Sequence, residues 1–248
     1  GTVVRRGFST RLGGVSEGCY ASLNLSFDRG DREEAVRENF RRIGEAIGVR
    51  CEDMVLSRQT HTTNVRVVTE DDRGKGIVRE RDYTDVDGLV TDVPGICLVT
   101  SYADCVPLYF VDPVKKAIGL SHSGWRGTVG KIGKKTVELM AERFGSDPGD
   151  ILAAVGPSVC MDCYEVSGDV IERVKEAFAE PLWDQLFYRK PDGKYQLDLW
   201  KANECIFREA GMSEEHIAVT NVCTNCNNES LYSNRAAGDQ RVNMCQCI

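Results

Sequence analysis

The chain has 248 residues, 42% hydrophobic and 28% charged, an ordinary globular balance with enough length to bury a sizeable core. Its formal net charge of −7 lacks the basic footprint on which nucleic-acid affinity depends, so neither DNA nor RNA is an expected partner. No stretch approaches the roughly 20 apolar residues of a membrane-spanning helix, and Arg5, Arg6 and Arg11 precede no apolar signal-peptide core, so no membrane association is expected and the cytoplasm is the expected address.

Along the chain, Asp31 to Gly48 reads as a helix. Ala35, Val36, Phe40, Ile43 and Ile47 recur at helical spacing, with Asp31 as N-cap and Gly48 as the stop. From Met54 the pattern changes to short β-rich runs bounded by Gly, Pro or Asp: Val65 to Thr69, Gly88 to Val90, Ile96 to Thr100, Val106 to Val111 and Ala117 to Ser121. Helical spacing returns from Thr128 to Phe144, through Val129, Ile132, Val137 and Met140, and ends at Gly145. Ile151 to Val155 is a further apolar run, Asp169 to Ala179 and Asp198 to Ala210 fit helices, and Ile217 to Val222 fits a last strand. The tail from Cys223 is polar and cysteine-rich, without a clear period. No repeat, low-complexity tract or linker divides the chain, which predicts one domain over 1–248. Strands and helices mix without a strict βαβ rhythm, which predicts an α+β fold.

Only three histidines are present, and two of them stand where strand-like runs give way to polar turns. His61 closes Ser57-Arg58-Gln59-Thr60-His61, and His122 lies in Ser121-His122-Ser123-Gly124-Trp125-Arg126-Gly127. Between them, Cys105 sits in Ala103-Asp104-Cys105-Val106-Pro107, again at a junction of two apolar runs. Two imidazoles and one thiolate would leave the fourth position of a tetrahedral zinc open for water or substrate, as catalytic zinc sites do. The spacings match no local zinc-finger signature. A buried apolar thiol beside two loop-capping histidines accounts for the residue types equally well.

The motifs around these residues, taken in order, resemble the laccase-domain or polyphenol-oxidase (YfiH-like) family, understood as zinc-dependent purine nucleoside phosphorylases with adenosine deaminase activity. The resemblance runs from Ser9-Thr10-Arg11-Leu12-Gly13-Gly14 and Ser22-Leu23-Asn24-Leu25 through Gln59-Thr60-His61 and Asp85-Val86-Asp87-Gly88-Leu89. It is densest around Cys105 and His122 and continues through Gly156-Pro157, Cys163-Tyr164-Glu165-Val166 and Asp198-Leu199. It implies a single domain with layered mixed β-sheets flanked by helices, and zinc on His61, Cys105 and His122, with copper the weaker candidate. It further implies small-molecule partners: a purine nucleoside (adenosine, inosine, guanosine or methylthioadenosine) and phosphate. Arg126 and Asp104 join the metal ligands as catalytic candidates, and Arg11, Asn24, Gln59 and Arg235 are candidates for substrate or phosphate contact. Arginine suits phosphate because its planar donors match the phosphate oxygens. Asp104, Asp87 and Glu165 are the carboxylates near the motifs that could move a proton. The tail departs from the family pattern: Leu231-Tyr232-Ser233-Asn234-Arg235 is followed by Ala236 where a second arginine is expected, and Arg241 stands further on.

Eleven cysteines without a secretory signal read as reduced thiols or metal ligands. Cys223-x2-Cys226 followed by Cys245-x-Cys247 comes close to four-thiolate zinc spacing, and Cys160-x2-Cys163 is a separate pair. Three other functions compete with a nucleoside enzyme. A copper oxidase of phenols would need more imidazoles than three. A metal-free Cys105–His122 hydrolase would use the imidazole to activate the thiolate. A non-catalytic protein would keep the pocket and bind without turnover.

Overall fold

The apolar runs between residues 54 and 155 are continuous rather than alternating, as strands covered on both faces require. The computed structural model describes residues 4–238 and 244–248 and shows how both faces are covered. Six strands form the central mixed sheet in the order β12-β8-β6-β7-β4-β3. These are β3 (Val65–Val67), β4 (Gly88–Thr91), β6 (Val106–Asp112), β7 (Ala117–Ser123), β8 (Leu152–Val155) and β12 (Ile217–Val219). The outer pairs β3–β4 and β8–β12 are parallel, and the inner pairs are antiparallel.

A second sheet, ordered β1-β13-β5-β2, comprises β1 (Gly7–Phe8), β2 (Met54–Leu56), β5 (Cys97–Tyr102) and β13 (Met244–Cys247). The period-2 alternation of strands assigns its layers. Val55 and Leu98 face the central sheet and pack with Leu89, Tyr109 and Leu120. Met54, Leu56, Cys97 and Val99 face outward onto Val36 and Phe40 of helix α1 (Glu33–Ile47). On the far side of the central sheet, Val106, Leu108 and Phe110 pack with Ile132, Val137 and Met140 of α3 (Ile132–Phe144) and with Ile206 and Phe207 of α6 (Leu199–Glu209). The order helix, sheet, sheet, helices is the expected layered α+β architecture. A small antiparallel sheet of β9 (Glu165–Val166), β10 (Phe187–Arg189) and β11 (Tyr195–Leu197) lies beside α4 (Gly168–Ala177) and α5 (Trp183–Leu186).

Three departures from the sequence reading have local causes. The Asp31 carboxylate does not cap α1. It accepts from Ser16 and Asn24 instead, tying the N-terminal motif to the helix start. The helix expected from Thr128 to Phe144 is two helices, α2 (Trp125–Val129) and α3, broken where Lys131 adopts φ 58°. The tail supplies α7 (Asn234–Ala237), with Ser233 as N-cap, and then β13, which inserts between β1 and β5. Cys245 and Cys247 are therefore buried in the sheet.

Candidate functional site

The three candidate ligands converge at one end of the central sheet. His122 is near the end of β7, and Cys105 is in the turn that leads into β6, whose Pro107 pairs with His122. His61 comes from the loop between β2 and β3, held at φ 64°. One nitrogen from each histidine and the Cys105 sulfur lie within 4.8 Å of one another. Cys105 Sγ is 3.9 Å from His61 Nε2, and the two imidazoles stand edge to face with centroids 4.9 Å apart.

Asp87, which precedes β4, organises the cluster. Its carboxylate accepts the backbone N–H groups of Thr60, His61 and Thr62 at 3.1, 3.0 and 2.9 Å and the Thr62 hydroxyl at 2.8 Å. It also accepts from Nδ1 of His122 at 2.8 Å. An ionised carboxylate has no proton to give, so Nδ1 carries a hydrogen and Nε2 is the nitrogen left to a metal ion or, without one, to the imidazolium proton. Burial raises the Asp87 pKa, but the bonds from His122 and the backbone N–H groups outweigh it and hold the carboxylate below its usual range. The Tyr102 ring lies 5.4 Å from the His122 ring.

Burial opposes charge on Cys105 and His122, yet each is charged by the other. The histidines bring the Cys105 thiol down to about 6, and the thiolate with Asp87 lifts His122 to about 9. Such a pair presents a ready thiolate, and a divalent cation takes the place of the imidazolium proton. The donor set fits zinc: two imidazoles, one thiolate and a carboxylate behind one imidazole. Gly124 keeps the space between the ligands clear, since a Cβ there would stand 3.0 Å from Cys105 Sγ and 3.2 Å from His61 Cδ2.

The cluster forms the floor of a cleft of about 390 Å³, within the usual size of small-molecule sites. Of the other candidates only Gln59 lines it, chelating the backbone of Ser101 through both ends of its amide. Asp104 is buried at φ 79°, one oxygen bonded by the Thr224 hydroxyl at 2.6 Å and the other by the Arg235 N–H at 2.7 Å. Arg235 stacks on Tyr164 at 4.9 Å and donates to the Glu165 carbonyl. Arg126 is exposed on α2, its guanidinium over Trp125 at 4.4 Å. Arg11 lines a separate hollow and donates to the carbonyls of Ala21 and Asn228, while Asn24 is buried against Ser26 and Asp31. Glu165 forms ion pairs with Lys190 and Lys194. Arg241 lies outside the described residues.

The cleft also contains groups that the sequence reading did not single out. Arg58 and Arg81 line it, both paired with Asp28, and Arg29 and Asn234 complete that part of the wall. Arg58 was visible three residues before His61. Arg81 lies in a loop with no motif of its own, and only the tertiary structure brings it to the cleft.

Comparison with known proteins places this geometry among relatives. The profile of a family described as "Multi-copper polyphenol oxidoreductase laccase" matches residues 5–248. The purine nucleoside phosphorylase YlmD of Bacillus subtilis is 37% identical over 92% of this chain and 82% of its own length. The adenosine deaminase RL5 of an unknown prokaryotic organism is 37% identical over 93% of this chain and 88% of its own. The crystal structure of the Bacillus licheniformis hypothetical protein YfiH superposes with a TM-score of 0.93 at 33% identity, covering 98% of this chain and 91% of that one.

Proposed function

The chain belongs to the multi-copper polyphenol oxidoreductase laccase family, and on that premise we propose that it is a zinc-dependent purine nucleoside phosphorylase with adenosine deaminase activity. The names of its relatives support the reaction classes. The observation that carries the reading is the His61–Cys105–His122 cluster, braced by Asp87, at the floor of the cleft.

Zinc held there would supply a Lewis acid and an acidified water. The chain does the rest. Asp87 fixes His122 in the tautomer that offers Nε2, and it fixes the 60–62 backbone that presents His61. Gln59 sets the position of Ser101, which also lines the cleft. In phosphorolysis a phosphate dianion must sit beside a ribose carbon that develops positive charge, and of the arginines lining the cleft Arg58 and Arg81 are the two that already hold a carboxylate, Asp28. Phosphate would compete with Asp28 for both of them. Asp104, with both oxygens bonded, is a positioning residue: it holds the turn ahead of Cys105 against Thr224 and Arg235.

The family's descriptive name points to copper. Two histidines and a cysteine suit a single copper ion, but a multicopper oxidase needs further imidazoles for its trinuclear cluster. The remaining histidine, His216, bonds the Gly149 carbonyl at 2.8 Å and does not line the cleft. Phenol oxidation that consumes oxygen and scales with bound copper would favour the oxidase.

The test is chromatography of adenosine reactions, run with and without phosphate, on protein of measured metal content. Zinc-loaded protein is expected to give adenine and ribose 1-phosphate with phosphate, and inosine and ammonia with water. Failure to turn over adenosine, inosine, guanosine and methylthioadenosine would overturn the reading.

A further inference from the structure

Four cysteines outside the cleft meet in space. Cys160 and Cys163 lie in the loop after β8, and Cys223 and Cys226 in the loop after β12. The four sulfurs lie within 4.8 Å of one another, and none is in a disulfide. The folded chain therefore joins the two C-x2-C pairs that the sequence keeps 63 residues apart, and it sends Cys245 and Cys247 into the second sheet instead.

We propose that these four cysteines form a structural zinc site, separate from the His61–Cys105–His122 cluster. A tetrahedral ion with Zn–S bonds of about 2.3 Å sets its sulfurs about 3.8 Å apart. Cys163 Sγ and Cys226 Sγ are already 3.5 Å apart, so closing the tetrahedron takes small rotations of side chains.

The backbone supports thiolates in the way such sites require. Cys223 Sγ accepts N–H bonds from Cys160 at 3.3 Å and from Cys226 at 3.4 Å, which favour a charged sulfur over a neutral one. Each pair is mounted on a tight turn. Met161–Cys163 is a single 3-10 turn, and the Asn227 N–H bonds back to the Cys223 carbonyl. The two loops continue the parallel β8–β12 pairing through a bridge between Ser158 and Cys223. The complete set of four protein ligands leaves no open position, the mark of a structural rather than a catalytic zinc.

The site would stiffen the wall beside Cys105. Thr224, inside the second pair, donates to Asp104, the neighbour of Cys105. Tyr164 follows Cys163 directly and carries the Arg235 guanidinium. Asn225, also inside the second pair, accepts from the Ser233 hydroxyl, and the next residue, Asn234, lines the cleft.

The experiment measures zinc by mass spectrometry in the full chain and in two kinds of variant, with folding followed by circular dichroism. Wild type is expected to carry two zinc ions per chain. The His61→Ala/His122→Ala double variant, which leaves the four cysteines intact, is expected to keep one zinc, with X-ray absorption showing sulfur ligands only. Cys226→Ser is expected to lose that ion and to melt at a lower temperature. The proposal is overturned if the folded His61→Ala/His122→Ala variant holds no zinc, if its metal is iron, or if mass mapping finds the four cysteines joined as disulfides. Because the readout is metal content, a failure of nucleoside turnover does not affect it.

Discussion

His122 Nδ1 donates to Asp87 at 2.8 Å, and the same carboxylate accepts the His61 backbone N–H at 3.0 Å. One side chain thus sets the tautomer of one proposed ligand and the backbone of another, so the two histidines are oriented before any ion arrives. Pre-oriented ligands lose little freedom on binding metal, which is where carboxylates behind a ligand exert their effect.

Replacing Asp87 should therefore weaken both the metal site and the loop that presents His61. Asp87→Asn, which keeps the shape but loses the charge and turns one acceptor oxygen into a donor facing N–H groups, is expected to lower zinc affinity by about 10–100-fold. Competition with a chromogenic chelator measures it. An unchanged affinity would mean that the carboxylate only braces the loop.

Gly124→Ala separates metal binding from stability. The backbone at Gly124, φ −71° and ψ 178°, is open to any residue, so the fold should lose only about 1 kcal/mol, the cost of alanine at a helix N-cap. The added methyl would press on Cys105 Sγ and His61 Cδ2. The expected result is substoichiometric zinc in the His-Cys-His site with a near-normal melting temperature. Full occupancy would show that the ligands can shift to make room.

The arginines should sort by location. Arg58→Ala and Arg81→Ala are expected to raise the KM for phosphate about tenfold or more, consistent with the loss of a charge-assisted contact worth roughly 1.5–3 kcal/mol. Arg11 serves the carbonyls of Ala21 and Asn228 and stacks on Tyr232, so Arg11→Ala is expected to lower the melting temperature instead. A phosphate KM that responds to Arg11 and not to Arg58 or Arg81 would move the anion site out of the cleft.

Acid stability should depend on Asp72. Burial raises its pKa, but Lys75, the Thr69 N–H and Arg66 together bring the carboxyl down to about 2. Because the folded value is depressed, the unfolded chain binds the proton first. The contribution is fully present above the ordinary carboxylate range near pH 4 and is lost as pH falls through about 2. Asp72→Asn should destabilise the protein at neutral pH and flatten its acid limb between those values. Urea titrations at pH 2, 4 and 7 compare the two slopes.

Much of the layered fold could be read from the chain because its strands are covered on both faces. Burial on both sides forces the apolar runs at 96–99 and 106–111, and the amphipathic period of α1 marks the one face that α1 must bury. The proposed ligands were legible for a related reason: they sit where those runs stop, and each carries a motif around it. Lys131 left no such mark, because a left-handed residue between two helical stretches does not disturb the apolar spacing on either side. The tail strand β13 was hidden too, since its partners β1 and β5 lie far away in sequence and its pairing comes from backbone groups that every residue has.

Sequence alone therefore determined the α+β class, the family resemblance, and His61, Cys105 and His122 as the residues to examine, because residue type, local period and motif are properties of short stretches. Only the tertiary structure decided which groups meet. It placed Asp87 behind His122, brought Arg81 to the cleft while leaving Arg11 outside it, and joined Cys160 and Cys163 to Cys223 and Cys226 rather than to the cysteines of β13. The physical reason is that spacing along a chain constrains distance only over a turn or a hairpin. Beyond that, proximity is set by how the sheets pack and in what order their strands pair.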